Sequence, residues 1–257
     1  MNDFSQDANC KALWRLESGA LTVDSKGTNT LTNIGVDEDA VNFKEGAGSG
    51  FWVKADANRL YVTEANMDAD FPMRSDAVHT DFSFADWIKL TATGLEQYIL
   101  CKTGAAGSRQ FVLYVFTDDH VTLAVSADGT NYTHYAHASA LAADTWYHVA
   151  VTHKDSDDAY RIRIWDDTAG AILGVDKTGT SITPALVAGN FYLGYPSSGS
   201  TLGGNEDEVV AFDDVLTVGE IDQIRAGTYG GGAPGQTVLD YERKTRGVNR
   251  GVCRGAA

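Results

Sequence analysis

The nine residues G-N-E-D-E-V-V-A-F, at positions 204–212, decide the fold of this 257-residue chain. Successive side chains of an extended segment point to opposite faces, so Val209 and Ala211 share one face while Val210 and Phe212 share the other. Apolar residues on both faces indicate a strand that is buried on both sides. The segment therefore predicts a strand in the interior of the protein.

The residues that follow this strand carry the signals of a short helix. Thr217 and Glu220 have the spacing of a capping box, in which each side chain satisfies a free backbone amide at the start of a helix. Ile221 and Ile224 would give the helix an apolar face, and Gly227 is placed to end it. A strand, a turn and a short helix are thus predicted in this order.

Strand-like runs separated by turn residues recur along the rest of the chain, with almost no helical periodicity. Many short strands at this spacing are typical of a β-sandwich or a β-barrel. The predicted runs are 12–17, 40–44, 60–63, 82–90, 97–102, 110–116, 120–126, 146–153, 160–165 and 190–194.

Five segments match, in order, the sequence pattern of one known family. They are L-W-R-L-E at 13–17, V-N-F-K-E-G at 41–46, D-F-S-F-A-D-W-I-K at 81–89, W-Y-H-V-A-V-T-H at 146–153 and G-N-E-D-E-V at 204–209. They resemble the strands of laminin G-like, concanavalin A-like domains, and the resemblance covers residues 13–227. Glu206 stands where that family usually has an aliphatic residue. The resemblance implies an antiparallel β-sandwich jelly roll, and the short helix and an extended C-terminal arm complete the predicted all-β architecture.

The chain divides into three predicted parts: an N-terminal extension at 1–11, the jelly-roll domain at 12–229 and a C-terminal arm at 230–257. The arm begins with G-G-G-A-P-G at 230–235, a flexible hinge followed by a stiff point. Because the arm has too few apolar residues for a core of its own, we expect it to dock on a neighbouring subunit as an assembly element. Its basic residues are Arg243, Lys244, Arg246, Arg250 and Arg254.

A formal net charge of −15 at pH 7 limits the classes of partner. An acidic surface repels nucleic acid and anionic membranes, so neither is an expected partner. No apolar run approaches the roughly 20 residues of a membrane-spanning helix, and the N-terminus lacks the apolar segment of a signal peptide. Cys10, Cys101 and Cys253 show neither a disulfide framework nor a metal-ligand pattern.

The resemblance raises the question of glycoside hydrolysis. Hydrolases of this shape place two carboxylates on one face of a strand, commonly as E-x-D-x-E or E-x-D-x-x-E, and the chain has no such pattern. Glu206 and Glu208 are expected to share a face, with Asp207 pointing the other way, but they belong to the structural closing strand. His134 and His137 have no serine or cysteine nucleophile pattern beside them. The sequence therefore predicts a protein that is not an enzyme.

The resemblance also implies a structural calcium ion between the closing strand and the loop after an early strand. Calcium takes about six to eight oxygen ligands from carboxylates, carbonyls and water. The role would fall on Asp207 and on the main chain near Gly46. The alternative is that the Asp207 carboxylate accepts hydrogen bonds from neighbouring backbone amides.

Glycan binding would need exposed aromatic rings beside polar groups, since sugars present apolar ring faces and many hydroxyls. The candidate ligand-binding residues are Trp165, Tyr132 and Tyr135, and Tyr195 and Trp52 are further aromatic candidates. By alternation along its strand, Trp165 shares a face with Arg161 and Arg163 and is expected to face solvent. The alternative for each ring is packing in the core or at a sheet edge.

These expectations favour a non-enzymatic recognition or adhesion module that is displayed on a virion, on the capsid or tail of a bacteriophage, and binds host or environmental glycans. One alternative is a structural decoration or cement subunit that binds only neighbouring capsid or tail subunits. The other is a secreted carbohydrate-binding module, which would be extracellular rather than on the virion surface. The arm predicts contacts with neighbouring subunits, in a homo-oligomer or a larger assembly.

Overall fold

The computed structural model describes residues 2–195 and 200–230 of the chain. Arg243, Lys244, Arg246, Arg250 and Arg254 of the predicted arm lie outside these residues. Within the described ranges the backbone forms sixteen strands and one α-helix. The strands are β1 Cys10–Trp14, β2 Thr32–Ile34, β3 Asp37–Asp39, β4 Ser49–Trp52, β5 Arg59–Val62, β6 Phe82–Leu90, β7 Gln97–Thr103, β8 Phe111–Val115, β9 His120–Val125, β10 Thr133–Ala140, β11 Trp146–Lys154, β12 Ala159–Asp166, β13 Ala171–Ile172, β14 Lys177–Thr180, β15 Asn190–Gly194 and β16 Gly204–Phe212; the helix is α1 Val218–Arg225.

The strands form two antiparallel sheets. A nine-stranded sheet has the order β13-β12-β11-β6-β16-β4-β3, with β1 also paired to β16 and β14 to β12. A seven-stranded sheet has the order β10-β9-β8-β7-β15-β5-β2. Two packed antiparallel sheets with one short C-terminal helix confirm the predicted all-β sandwich.

The main core lies between the two sheets and follows from the alternation of the strands. Phe84 and Ile88 of β6 point inward from the nine-stranded sheet, and Phe111 and Phe191 point inward from the seven-stranded sheet. The rings of Phe84 and Phe191 stack with their centroids 5.4 Å apart. Because full burial of a side chain of this size contributes about 1.5–3 kcal/mol, the layer between the sheets stabilises the sandwich strongly.

Strand β16 is buried along its whole length in the interior of the nine-stranded sheet. Val209 and Ala211 face the core between the sheets, whereas Val210 and Phe212 face outward, toward α1. The prediction that this strand is apolar on both faces is therefore confirmed.

A β-bulge in β16 separates Glu206 from Glu208, which the sequence predicts to share a face. Between Asp207 and Val210 the strand has one residue more than its partner β6. Glu208 lies in this bulge with φ 51°, and its carboxylate contacts Arg15 on the outer side of the sheet at 2.9 Å. Glu206 pairs with an inward-facing position of β6 and points into the core. The prediction was wrong because the bulge breaks the alternation.

Helix α1 begins and packs as predicted. Thr217 Oγ1 accepts a hydrogen bond from the Glu220 amide at 3.3 Å, and the Glu220 carboxylate accepts one from the Thr217 amide at 2.7 Å, which completes the capping box. Ile221 and Ile224 are buried against the outer side of the nine-stranded sheet. Gly227 follows the helix with φ 68°, a left-handed conformation that glycine adopts without strain. Within residues 2–195 and 200–230, no helix is long and apolar enough to cross a membrane.

The N-terminal residues pack against the last described part of the chain. Phe4 stacks on Tyr229 with the ring centroids 5.1 Å apart. The side-chain amide of Asn2 donates a hydrogen bond to a carbonyl of α1 at 2.8 Å. The segment predicted as an extension at 1–11 is thus folded onto the domain, and β1 begins within it at Cys10.

The prediction of a strand at 40–44 is wrong, because the backbone there forms a loop. The Asp39 carboxylate accepts hydrogen bonds from the amides of Val41 and Asn42 at 2.8 and 3.0 Å, which turns the chain. The next strand, β4, begins at Ser49 instead. Residues 40–48 form a loop that contacts the outer side of β16.

Candidate functional site

The outer face of the seven-stranded sheet carries a layer of aromatic side chains. Alternation places the small residues Cys101, Val112 and Ala124 on this face, and larger rings pack over them. Because the rings come from β5, β7, β8, β15 and the residues beside β10 and β15, no continuous stretch of sequence contains the layer. This surface, called the tyrosine face below, consists of Tyr61, Tyr98, Tyr114, Tyr132, Tyr192 and Tyr195.

The rings of the tyrosine face stack on one another across the strands. Tyr98 lies between Tyr195 and Tyr114, with centroid distances of 4.4 and 5.3 Å. Tyr61 stacks on Tyr192 at 5.7 Å. Each such pair contributes about 0.5–1.5 kcal/mol beyond the area that it buries. The stacks therefore hold the rings in place before any ligand binds.

Hydrogen bonds fix several hydroxyl groups on this face. The Tyr132 hydroxyl lies 3.0 Å from Thr103 Oγ1, and the Tyr114 hydroxyl lies 3.0 Å from His134 Nδ1. Burial raises the pKa of Tyr114 and of Tyr132 to about 12, so both hydroxyls stay protonated near neutral pH. A protonated phenol both donates and accepts hydrogen bonds, which suits a ligand with many hydroxyls.

A groove opens at one side of the tyrosine face. Phe116, beside the buried Tyr114, is 42% exposed and presents an aromatic ring to solvent. The surface therefore offers apolar ring area next to polar groups. The groove has a volume of about 240 Å³ and is lined by Tyr114, Phe116, Asp118, Thr122, His134 and Ala136.

Two arginines lie over rings of the tyrosine face. The guanidinium of Arg59 is 5.7 Å from the centroid of Tyr61, and that of Arg109 is 5.5 Å from the centroid of Tyr132. A guanidinium within about 6 Å of an aromatic ring is attracted to its electron-rich face. Both arginines bring positive charge and hydrogen-bond donors to this surface.

Two of the predicted ligand-binding residues, Tyr132 and Tyr135, lie on opposite sides of the seven-stranded sheet. Tyr132 belongs to the tyrosine face. Tyr135 packs against the core between the sheets, where its ring lies 4.7 Å from that of Tyr160 and its hydroxyl accepts a hydrogen bond from the Ile182 amide at 2.9 Å. Alternation along β10 separates the two tyrosines.

The third predicted residue, Trp165, lies on the outer side of the other sheet. The guanidinium of Arg225, at the end of α1, is 3.7 Å from the centroid of its ring. Arg163, on the same face, forms an ion pair with Asp222 of α1 at 2.9 Å. Trp165 faces outward as expected, but the helix covers that side, so Trp165 and Tyr132 do not form one site.

The predicted calcium ligands lie on the outer side of β16, at the loop that contains Gly46. Asp207 Oδ2 accepts hydrogen bonds from the amides of Lys44 and Glu45 at 2.7 and 3.0 Å. Its Oδ1 is buried and has no hydrogen-bond partner among the described residues. Burial raises the pKa of Asp207 to about 7, although the two amides favour the charged form.

Glu17 brings a second carboxylate to this loop. Its Oε2 accepts a hydrogen bond from the Ala47 amide at 2.7 Å, and its negative charge adds to the raised pKa of Asp207. Gly46 has φ 68°, and a Cβ atom at this position would lie 1.4 Å from Glu17 Oε1. An added Cβ atom would force the Glu17 carboxylate to move away, and the left-handed backbone conformation itself favours glycine.

The oxygen atoms at this loop are of the kind that calcium takes. Carboxylates and main-chain carbonyls are the usual protein ligands of calcium. Oδ1 of Asp207 is a carboxylate oxygen without a hydrogen-bond partner among the described residues. The described residues contain no group of three or more His, Cys, Asp or Glu side chains that could hold a metal ion, so main-chain and water oxygens would have to complete the shell. The alternative, hydrogen bonding to amides, accounts for Oδ2 and leaves Oδ1 unexplained.

A buried pair of carboxyl groups lies in the core between the sheets. Asp86 of β6 and Glu206 of β16 are neighbours, and both are 0% exposed. No hydrogen-bond donor in the described structure reaches any of their four oxygens, so a hydrogen bond between the two groups requires a proton on one of them. Burial raises the pKa of both groups, and the charge of Asp86 raises that of Glu206 further. The pair therefore holds a shared proton.

The sequence alone does not predict this pair. It indicates that Glu206 stands at an aliphatic position but does not link Asp86 to it. Alternation along β6 places Asp86 on the same inward face as Phe84 and Ile88, a signal that could have found it. Because neither group is exposed, the pair is out of reach of a substrate.

The chain belongs to the concanavalin A-like lectin/glucanases superfamily. Its sequence matches the laminin G-type family of that description over residues 63–222. The matched region contains β6, β11 and β16. The fold and this match define a lectin-type β-sandwich domain.

Solved structures share this fold at low sequence identity. Domain 4 of AbnA, an extracellular GH43 arabinanase from Geobacillus stearothermophilus, was solved in complex with arabinotriose; it is 12% identical, with a TM-score of 0.60 over 84% of this chain and 98% of that chain. The receptor binding domain of botulinum neurotoxin type G is 11% identical, with a TM-score of 0.58 over 85% of this chain and 51% of that chain. No curated protein matches the chain by sequence.

Proposed function

We propose that this protein is a non-catalytic recognition or adhesion module that binds glycans through the tyrosine face. The observation that carries the proposal is the set of six tyrosines stacked over small residues on one face of a sheet. Sugar rings have an apolar face and a hydroxyl-rich edge, so they match flat aromatic surface beside hydroxyl and guanidinium donors. Two similar structures support the proposal, because one was solved with arabinotriose and the other is a receptor binding domain.

The position of the buried acids supports the non-catalytic part of the proposal. A glycosidase of the common type places two carboxyl groups on either side of the scissile bond. Asp86 and Glu206 are adjacent but sealed between the sheets, where no sugar can reach them. Because the superfamily includes glucanases, every glycan found to bind should also be incubated with the protein. Release of shorter sugars would contradict this part of the proposal.

A printed glycan array with the full-length chain tests the binding site. We expect Tyr98→Ala and Tyr195→Ala each to weaken binding about tenfold or more, the loss typical of a central aromatic contact. Trp165→Phe is the matched control, since Trp165 is an aromatic residue on the other sheet beneath Arg225. If Trp165→Phe lost binding while both tyrosine variants kept it, the glycan site would lie on the nine-stranded sheet, which would contradict the proposal.

Display on a virion and assembly through the arm at 230–257 belong to the same proposal. Support comes from the opposite charges of the basic arm residues and the acidic remainder of the chain. The test is light scattering of the full-length chain and of a truncation that ends at Gly230. Arm-dependent oligomers that bind glycans are the expected result. Arm-dependent oligomers without glycan binding would indicate a decoration subunit, and a glycan-binding monomer would indicate a secreted module.

A further inference from the structure

We propose that the tyrosine face takes a glycan that carries negatively charged groups, carboxylates or sulfates, and that Arg59 and Arg109 each contact such a group. The inference rests on the proposed glycan binding and adds the chemical class of the ligand. It starts from two positive charges on this surface that the carboxylates of the protein do not neutralise.

The chain has 35 acidic residues against 20 basic ones, and four of its seven described arginines form ion pairs with Asp or Glu. Arg59 and Arg109 differ, because neither has a carboxylate at ion-pair distance among the described residues and each lies over a tyrosine instead. Arg225 has no ion pair among the described residues either, but it lies on the other sheet and stacks on Trp165. The described arginines that do form ion pairs with Asp or Glu are Arg15, Arg74, Arg161 and Arg163.

The two guanidinium groups are held in place but keep free donors. Nη1 of Arg59 donates to the Ala57 carbonyl at 2.9 Å, and Nη1 of Arg109 donates to the Thr130 carbonyl at 2.7 Å. Both side chains are half-buried. The remaining N–H groups of each guanidinium can donate to a ligand, and a planar guanidinium matches the geometry of a carboxylate or a sulfate.

The arginines lie on either side of the rings in the middle of the face. Arg59 is on β5 and Arg109 precedes β8, and the strand order places β15 and β7 between them. Burial raises the pKa of Tyr192 and Tyr195; the charge of Arg59 counteracts the rise at Tyr192, and that of Arg109 counteracts it at Tyr195. Because neighbouring strands lie about 4.7–4.9 Å apart, the two arginines would contact different parts of a ligand that crosses these strands.

The experiment compares neutral glycans with sialylated, uronic acid-containing and sulfated glycans on one array, with the full-length chain. Acidic glycans are expected to give the strongest signals. Arg59→Ala and Arg109→Ala should each weaken binding to them about tenfold, the loss of one charge-assisted contact. Arg225→Ala is the matched control, since Arg225 also stacks on an aromatic ring but lies on the other sheet.

Each outcome decides between the inference and the function on which it rests. If the protein binds neutral glycans through Tyr98 and Tyr195 and the arginine variants bind equally well, the inference is overturned while the proposed function stands. If no glycan binds, both are overturned. A preference between sialylated or uronic acid-containing glycans and sulfated ones identifies which anion the two arginines hold.

Discussion

Gly46 shows how one residue shapes the loop beside β16. Its φ of 68° favours glycine, and an added Cβ atom would collide with the Glu17 carboxylate unless that side chain moved away. We expect Gly46→Ala to lower the free energy of unfolding by about 1–3 kcal/mol, measured by denaturant titration. Gly19→Ala is the control, because Gly19 has φ 76° but no heavy atom within 4 Å of an added Cβ. Equal losses in the two variants would show that the contact with Glu17 has no effect.

A second prediction at the scale of one residue is that Asp207 binds calcium, because its buried Oδ1 has no hydrogen-bond partner among the described residues. A bound cation stabilises the ionised carboxylate, so it should lower the raised pKa of Asp207 and increase thermal stability above about pH 7. A ligand at about 100 times its dissociation constant stabilises the folded state by about 2.7 kcal/mol. The measurement is the unfolding temperature with and without calcium chloride, and Asp207→Asn should abolish the increase. No change in the wild-type protein would remove the calcium site.

At the scale of elements, the pair Asp86 and Glu206 links the central strands β6 and β16 through a shared proton. Both pKa values are raised in the folded state above the ordinary values of about 3.9 for Asp and 4.3 for Glu. A group that binds its proton more tightly when folded stabilises the fold below its unfolded pKa. That stability is lost as the pH rises through the folded pKa. The stability that the pair contributes should therefore fall as the pH rises from about 4 through about 7 and above.

Glu206→Gln tests this effect, because a glutamine keeps a hydrogen bond to Asp86 without a titrating proton. Relative to the wild-type protein, the variant should gain about 1–3 kcal/mol in free energy of unfolding between about pH 5 and pH 8. Denaturant titrations at several pH values measure the gain. Glu38→Gln is the control. Hydrogen bonds from Ser18 and Gly19 lower the pKa of the exposed Glu38, so the stability that its carboxylate contributes is lost as the solution becomes acidic. A constant difference between Glu206→Gln and wild type would contradict the shared proton.

The sequence could predict the elements that depend on local patterns. The capping box located α1, and alternation identified both apolar faces of β16. The bulge at Glu208 could not be predicted, because it depends on how β16 pairs with β6 rather than on the residues of β16 themselves. The loop at 40–48 was mistaken for a strand because its apolar residues hid the turn at Asp39.

At the scale of the whole molecule, the tyrosine face depends on which strands become neighbours. Tyr61 and Tyr192 stack although they are far apart in sequence, since β5 and β15 pair in the folded sheet. The sequence places Tyr132 and Tyr195 among the candidate aromatic residues but gives no reason to join them to each other or to Tyr98. Strand order and register in the sheet are properties of the complete fold, so the face could be found only in the structure.

The most direct test of glycan binding by the tyrosine face is a fluorine NMR titration. The chain has 11 tyrosines, and replacing them with 3-fluorotyrosine gives each ring its own signal. On addition of a glycan that binds on the array, we predict that the signals of Tyr98, Tyr192 and Tyr195 shift while those of Tyr135 and Tyr160, in the core, do not. Binding that leaves the signals of the tyrosine face unchanged would contradict the account.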